Sequence, residues 1–160
     1  MHLFVRRMIG SAAAVILCLG WMSTAEARTK TNRASQQKVV VDDVFQTAAG
    51  EFVVLLKTDA EPVRYLPIWI GQREALAIRL RLERQAPPRP LTLNLTESIL
   101  KSSKAKLQSV LIDAVHGGVF LGEIRLRQKG RAWSLDARPS DAIALALGQG
   151  APIWVAKSVL

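Results

Sequence analysis

The period of the hydrophobic positions changes several times along the chain, and each change marks an element. Residues 39–47 and 51–58 are rich in β-branched and aromatic side chains and flank Ala48-Ala49-Gly50, which predicts a hairpin. Its second arm carries the unbroken apolar run Phe52-Val53-Val54-Leu55-Leu56, the pattern of a strand covered on both faces. Residues 66–70 predict another short strand. Over 71–84 the period lengthens, so that Ala75, Leu76, Ile78 and Leu82 share one helical face, with Glu74 in the first turn where the helix dipole favours it. The tail of this stretch, 78–84, also alternates as a strand would. Pro87-Pro88-Arg89-Pro90 imposes an extended break, and 96–104 predicts a second helix capped by Thr96 or Asn94. Alternation resumes over 107–115 and 119–128, joined at His116-Gly117-Gly118, and Lys129-Gly130 turns the chain into 131–135.

The most tightly specified stretch is 133–155. A strand ends in the polar turn of Asp136, Arg138, Ser140 and Asp141, and 142–147 is then unbroken Ala, Ile and Leu. A helix apolar on every side must be buried. Pro139 suits its first position, Asp141 its first turn and Gly148 the position after its end, with Pro152 beyond. Residues 151–155 predict a closing strand. This Ala151-Pro152-Ile153-Trp154-Val155 echoes Leu66-Pro67-Ile68-Trp69-Ile70, but the helix precedes one copy and follows the other, as in two similar strands of one sheet. Trp69, Trp133 and Trp154 fall within strand patterns and are expected in the core. The whole predicts one α/β (α+β) domain over 39–160, with helices packed on a mixed sheet of six or seven strands.

The start of the chain reads differently. Arg6 and Arg7 precede an apolar stretch over 8–22, and Ala25-Glu26-Ala27 is a small-residue cleavage site, so 1–27 reads as a signal peptide. Gly10, Ser11 and Gly20 make a permanent span a poor fit, and the bulky Leu17 before Cys18 disfavours a lipid anchor. Residues 28–38 read as a flexible basic leader. The expectation is a bacterial protein, periplasmic or secreted, with no transmembrane span after cleavage. Cleavage removes Cys18 and His2, which excludes disulfides, thiolate chemistry and zinc fingers and leaves His116 as the single histidine. A nucleophilic triad built on that histidine is a poorer reading than a solvated turn residue. The full chain carries a formal charge of +9, and loss of Arg6, Arg7 and Glu26 leaves 20 basic and 12 acidic residues. Such a protein is drawn to anionic polymers, without a choice among nucleic acid, lipopolysaccharide, teichoic acid and phospholipid.

Three motifs carry a resemblance. They are Leu66-Pro67-Ile68-Trp69-Ile70-Gly71 with Glu74-Ala75, then Pro88-Arg89-Pro90-Leu91-Thr92, and above all Asp136-Ala137-Arg138-Pro139-Ser140-Asp141-Ala142-Ile143-Ala144-Leu145-Ala146 followed by Ala151-Pro152. From Val39 to Leu160 the chain resembles the bifunctional nuclease (BFN) domain family. That resemblance implies an α/β fold, a homo-oligomer, and DNase and RNase activity, as reported for some members. Where the family continues His-Asp after Pro90-Leu91-Thr92, this chain has Leu93-Asn94, and the members compared are mostly cytosolic or organellar.

A nuclease needs oxygen ligands for a hard cation and positive charge on the phosphate. Asp136 and Asp141 are the candidate ligands for Mg or Mn and, with Glu74, the candidate catalytic carboxylates. Arg138, Ser140, Arg125 and Arg127 are the candidates to bind nucleic acid, with Lys129 beside them. A structural account covers the same residues: Asp141 accepts N–H groups at a helix start, Arg138 ties Asp136 to Asp141, and the basic strand face is merely solvated. The corresponding functions are an exported metal-dependent nuclease or a non-catalytic, oligomeric binding module of the cell envelope. Lys101, Lys104 and Lys106 are expected to coat the second helix.

Overall fold

The computed structural model describes residues 33–160. The expected signal peptide, its cleavage site and residues 28–32 of the leader lie outside the described residues. A 3-10 turn at Arg33–Ser35 leads directly into β1 (Gln36–Gln46), so the first strand starts inside the segment expected to be leader. Gln36 is buried and pairs with Ala156, so the sheet includes residues before Val39. β2 (Phe52–Thr58) returns antiparallel to β1, and β3 (Tyr65–Ile70) pairs antiparallel with β2. The second half supplies β4 (Lys106–His116), β5 (Val119–Gln128) and β6 (Arg131–Ala137) as another antiparallel meander. β7 (Ile153–Ala156) lies between β1 and β4, parallel to β4, giving the order β3-β2-β1-β7-β4-β5-β6. The sheet is mixed and has seven strands, within the six or seven expected.

α1 (Gln72–Leu82), α2 (Thr92–Ser102) and α3 (Pro139–Gln149) cover one face of this sheet. α3 carries the chain from the edge strand β6 across β5 and β4 to the central β7. Ala142 to Ala146 are almost wholly inaccessible, as the unbroken apolar run requires. They pack with Val54, Leu56, Val110, Ile112, Ile153 and Val155 from the sheet and with Ile78 from α1.

Two helix ends differ from expectation. α2 starts one turn earlier than 96, because Asn94 Oδ1 accepts the backbone N–H of Leu91 at 3.0 Å and so works at the third helical position rather than as the cap. α3 ends at Gly150, whose φ of 64° is the left-handed stop, whereas Gly148 lies inside the helix. A side chain at 148 would run into the Glu97 carboxylate, which is bonded to Arg81 at 2.7 Å. Gly148 therefore serves close packing and not termination.

Candidate functional site

The turn between β6 and α3 is short: Ala137 ends the strand, Arg138 is the extended N-cap, and Pro139, Ser140 and Asp141 are the first three helical residues. Pro139 is tolerated because the first helical N–H has no intrahelical partner anyway. Gly122 of β5 lies opposite Ala137, and a Cβ there would meet Pro139 Cα at 3.8 Å. The helix start thus sits directly on the sheet.

Arg138 organises this corner. Its Nε donates to Asp141 Oδ2 at 2.8 Å and its Nη2 to Asp141 Oδ1 at 3.2 Å. The same Nη2 reaches Glu74 Oε1 at 2.9 Å. Glu74 is the third residue of α1 and folds back over the N-cap Gly71, which has no Cβ to obstruct it. The packing of α1 against α3 brings together two carboxylates 67 positions apart in sequence. The hydrogen bonds donated to Asp141, the charge of Asp141, and then Glu74 hold the Arg138 pKa above its ordinary value, so the guanidinium is a fixed cation. Nη1 has no partner among the described residues.

Asp136 does not join this cluster. It stands opposite Glu123 in the β5–β6 ladder, one position out of phase with Ala137 and Gly122. Successive side chains of a strand point to opposite faces, so Asp136 is on the side of the sheet away from α3. Arg138 therefore ties Asp141 to Glu74 and not to Asp136. Arg125 is also placed otherwise than expected. Its Nε donates at 2.7 Å to Glu123, a buried carboxylate that needs such a partner, and its Nη1 donates at 3.4 Å to Gln36 Oε1. Arg127 remains exposed, at the far end of β5. Ser140 is 7% exposed and faces the cavities described next. His116 is exposed at the end of β4, as a solvated turn residue would be.

Two cavities flank Arg138, and both are lined by Glu74, Arg138 and Ser140. The first, about 680 Å³, continues along Gly50, Phe52, Trp69, Gly71 and Phe120. Trp69 is not in the core: it is 57% exposed on the edge strand, with its indole N–H donated to Glu51 Oε2 at 3.3 Å. Trp133 and Trp154 are partly buried, and Trp133 packs against the core as expected. The second cavity, about 570 Å³, lies between the helices and is walled by Leu76, Leu91, Leu93, Ala142 and Leu145, with Asp141 at its rim. Leu93 therefore faces the same cavity as the Arg138 cluster. Asn94 is engaged at the start of α2.

A Mg or Mn ion takes about six oxygen ligands at roughly 2.0–2.1 Å. Both Asp141 oxygens and one Glu74 oxygen already accept from Arg138, and Asp136 is on the other face. Among the described residues, no three Asp, Glu, His or Cys side chains converge. The donor set as arranged does not fit such an ion. Likewise, no helix among the described residues is long and apolar enough to cross a membrane.

Two uncharacterised proteins of Mycobacterium tuberculosis are each 42% identical over 107 residues, covering 67% of this chain and 63% of theirs. The chain thus spans less than two thirds of the length of these curated relatives. The family model of the bifunctional nuclease domain matches residues 54–160, beginning inside β2 rather than at Val39, and ending beyond the α3–β7 unit. By that match, the chain belongs to the bifunctional nuclease domain family.

Proposed function

We propose that this protein binds nucleic acid at the start of α3, on a nuclease-family scaffold whose carboxylates Arg138 holds closed. One observation carries the reading: a fixed guanidinium with a free N–H edge stands at a helix N-terminus between two cavities. A phosphate there meets Arg138 Nη1 and the unpaired N–H groups of the first helical turn. The exposed face of Trp69, in the first cavity, offers a base a stacking surface. Family membership supports a nuclease-like role. The Glu74–Arg138–Asp141 arrangement and Leu93-Asn94 support binding over hydrolysis at this corner.

Metal-dependent hydrolysis is the second reading, and the exposure of Arg138 favours it, since a side chain two-thirds exposed is free to swing off its carboxylates. Self-association belongs to the proposal too. Leu76 on α1, and Leu95 and Ile99 one turn apart on α2, are each more than half exposed. So does export, which N-terminal sequencing of the secreted or periplasmic protein would test by finding Arg28 first.

The deciding experiment incubates the purified protein with single-stranded DNA, duplex DNA and RNA in Mg²⁺, Mn²⁺ or EDTA, beside Arg138→Gln and Asp141→Asn. Binding without cleavage, weakened by Arg138→Gln, is the expected result. Metal-dependent cleavage that vanishes in a folded Asp141→Asn protein would establish the second reading. Sedimentation of the same preparations reports the oligomer.

A further inference from the structure

We infer that the end of the β4–β5–β6 meander opposite Arg138 is a second nucleic-acid contact, a track for the phosphodiester backbone. The inference rests on the nucleic-acid reading above but uses different residues. Lys101 lies in the last turn of α2, and Lys104 follows it. Lys106 opens β4, Arg127 lies near the end of β5, Lys129 is in the turn, and Arg131 opens β6. All six are exposed, and none forms an ion pair among the described residues.

Lys106 and Arg127 stand directly opposite one another in the β4–β5 ladder. Like charges at a paired position are destabilising. A merely solvated strand face accounts for exposed lysines, but it gives no reason for two cations at one paired position. Lys101, Lys104 and Lys106 also line a single cavity of about 630 Å³. The one carboxylate there, Glu97, is already held by Arg81 at 2.7 Å, so it does not neutralise them. The α2 C-terminus favours one cation such as Lys101, not a group of six.

The surface is held together. The Gln128 side chain donates to the Ser103 carbonyl, which ties the end of β5 to the connection between α2 and β4. A lone phosphate is too small to engage cations spread over three strands and a helix end. A backbone with a charge about every 3.4 Å along each strand matches them. Contacts of this kind position the polymer and do not read its sequence.

The test is a salt titration of binding to a mixed-sequence duplex. It compares the full chain with the triple variant Lys104→Gln, Lys106→Gln, Arg127→Gln and with Arg138→Gln. Each neutralised phosphate contact contributes about 0.9 to the slope of log affinity against log salt. The triple variant should therefore have a slope shallower by about 2.7 and a thermal midpoint no lower than wild type, because a repulsion is removed. An unchanged slope in the triple variant, with binding lost in Arg138→Gln, overturns this surface and leaves the α3 reading standing. A shallower slope in the triple variant, with Arg138→Gln like wild type, does the reverse. A wild-type chain that leaves the duplex free but sediments with phosphatidylglycerol vesicles through the three cations overturns both.

Discussion

The two ends of β6 pose opposite electrostatic problems. At its C-terminal end a single arginine, Arg138, is shared between two carboxylates, Asp141 and Glu74. At its N-terminal end, Arg131 joins a group of cations that no carboxylate among the described residues engages, two of them, Lys106 and Arg127, directly paired. Seven residues of strand separate the ends, about 20 Å at the usual rise. At the first end the charges are paired within the chain, and Arg138 Nη1 is the edge left for a ligand. The second is stable only because water screens it, and an anionic polymer would relieve it. The difference teaches that net charge is a poor guide to where a basic protein binds; pairing is the better one.

The comparison is broken most severely by reopening the closed end. Leu93→His with Asn94→Asp places the family's pair beside the Arg138 cluster, and Asp at the third helical position still caps Leu91. Manganese-dependent cleavage of single-stranded DNA at least tenfold above wild type is the expected outcome, on the general scale of acid–base catalysis. A folded double variant with no gain would show that those two positions are not what silences the corner. A smaller effect is expected of Arg138→Gln. Loss of a charge-assisted contact of about 1.5–3 kcal/mol should weaken oligonucleotide binding by roughly ten- to a hundredfold. The exposed ion pairs removed with it contribute only about 0–1 kcal/mol to stability, so the melting curve should hardly move. The smallest effect sharpens the other end. Lys106→Glu converts the like-charge pair with Arg127 into an opposite pair and should stabilise the fold by about 0.5 kcal/mol. A midpoint rise of about 1–2 °C would register it, while oligonucleotide affinity falls.

Much of the fold was legible because periodicity is a local property. The alternation over β4 and β5, the buried run of α3 and the meander turns all stand in the sequence as they stand in space. Glu74 does share a corner with Asp141, but as a second ion-pair partner of Arg138. What was not legible depends on register and position in the sheet. Asp136 and Ala137 differ by one residue, and one residue decides which face of a strand a side chain occupies. Trp69 and Trp154 sit in nearly identical motifs, yet β3 is an edge strand and β7 is central, so only one of the two indoles is left largely in solvent. Arg125 alternates like Arg127, and only the burial of Glu123 beside it shows that it is already committed.

The position of β7 has a consequence for how the chain assembles. β3-β2-β1 and β4-β5-β6 are each formed from neighbours in sequence, and among the described residues the strand that pairs with both meanders is β7, four residues long. Until Ile153–Ala156 has been made and seated, the chain holds two half-sheets with open inner edges, at β1 and at β4. Open edges recruit other strands, and contacts this distant in sequence form late. Folding of the whole sheet therefore waits for a strand synthesised after all the others, and a chain cut short before Ile153 would leave two sticky halves rather than a smaller version of the same domain.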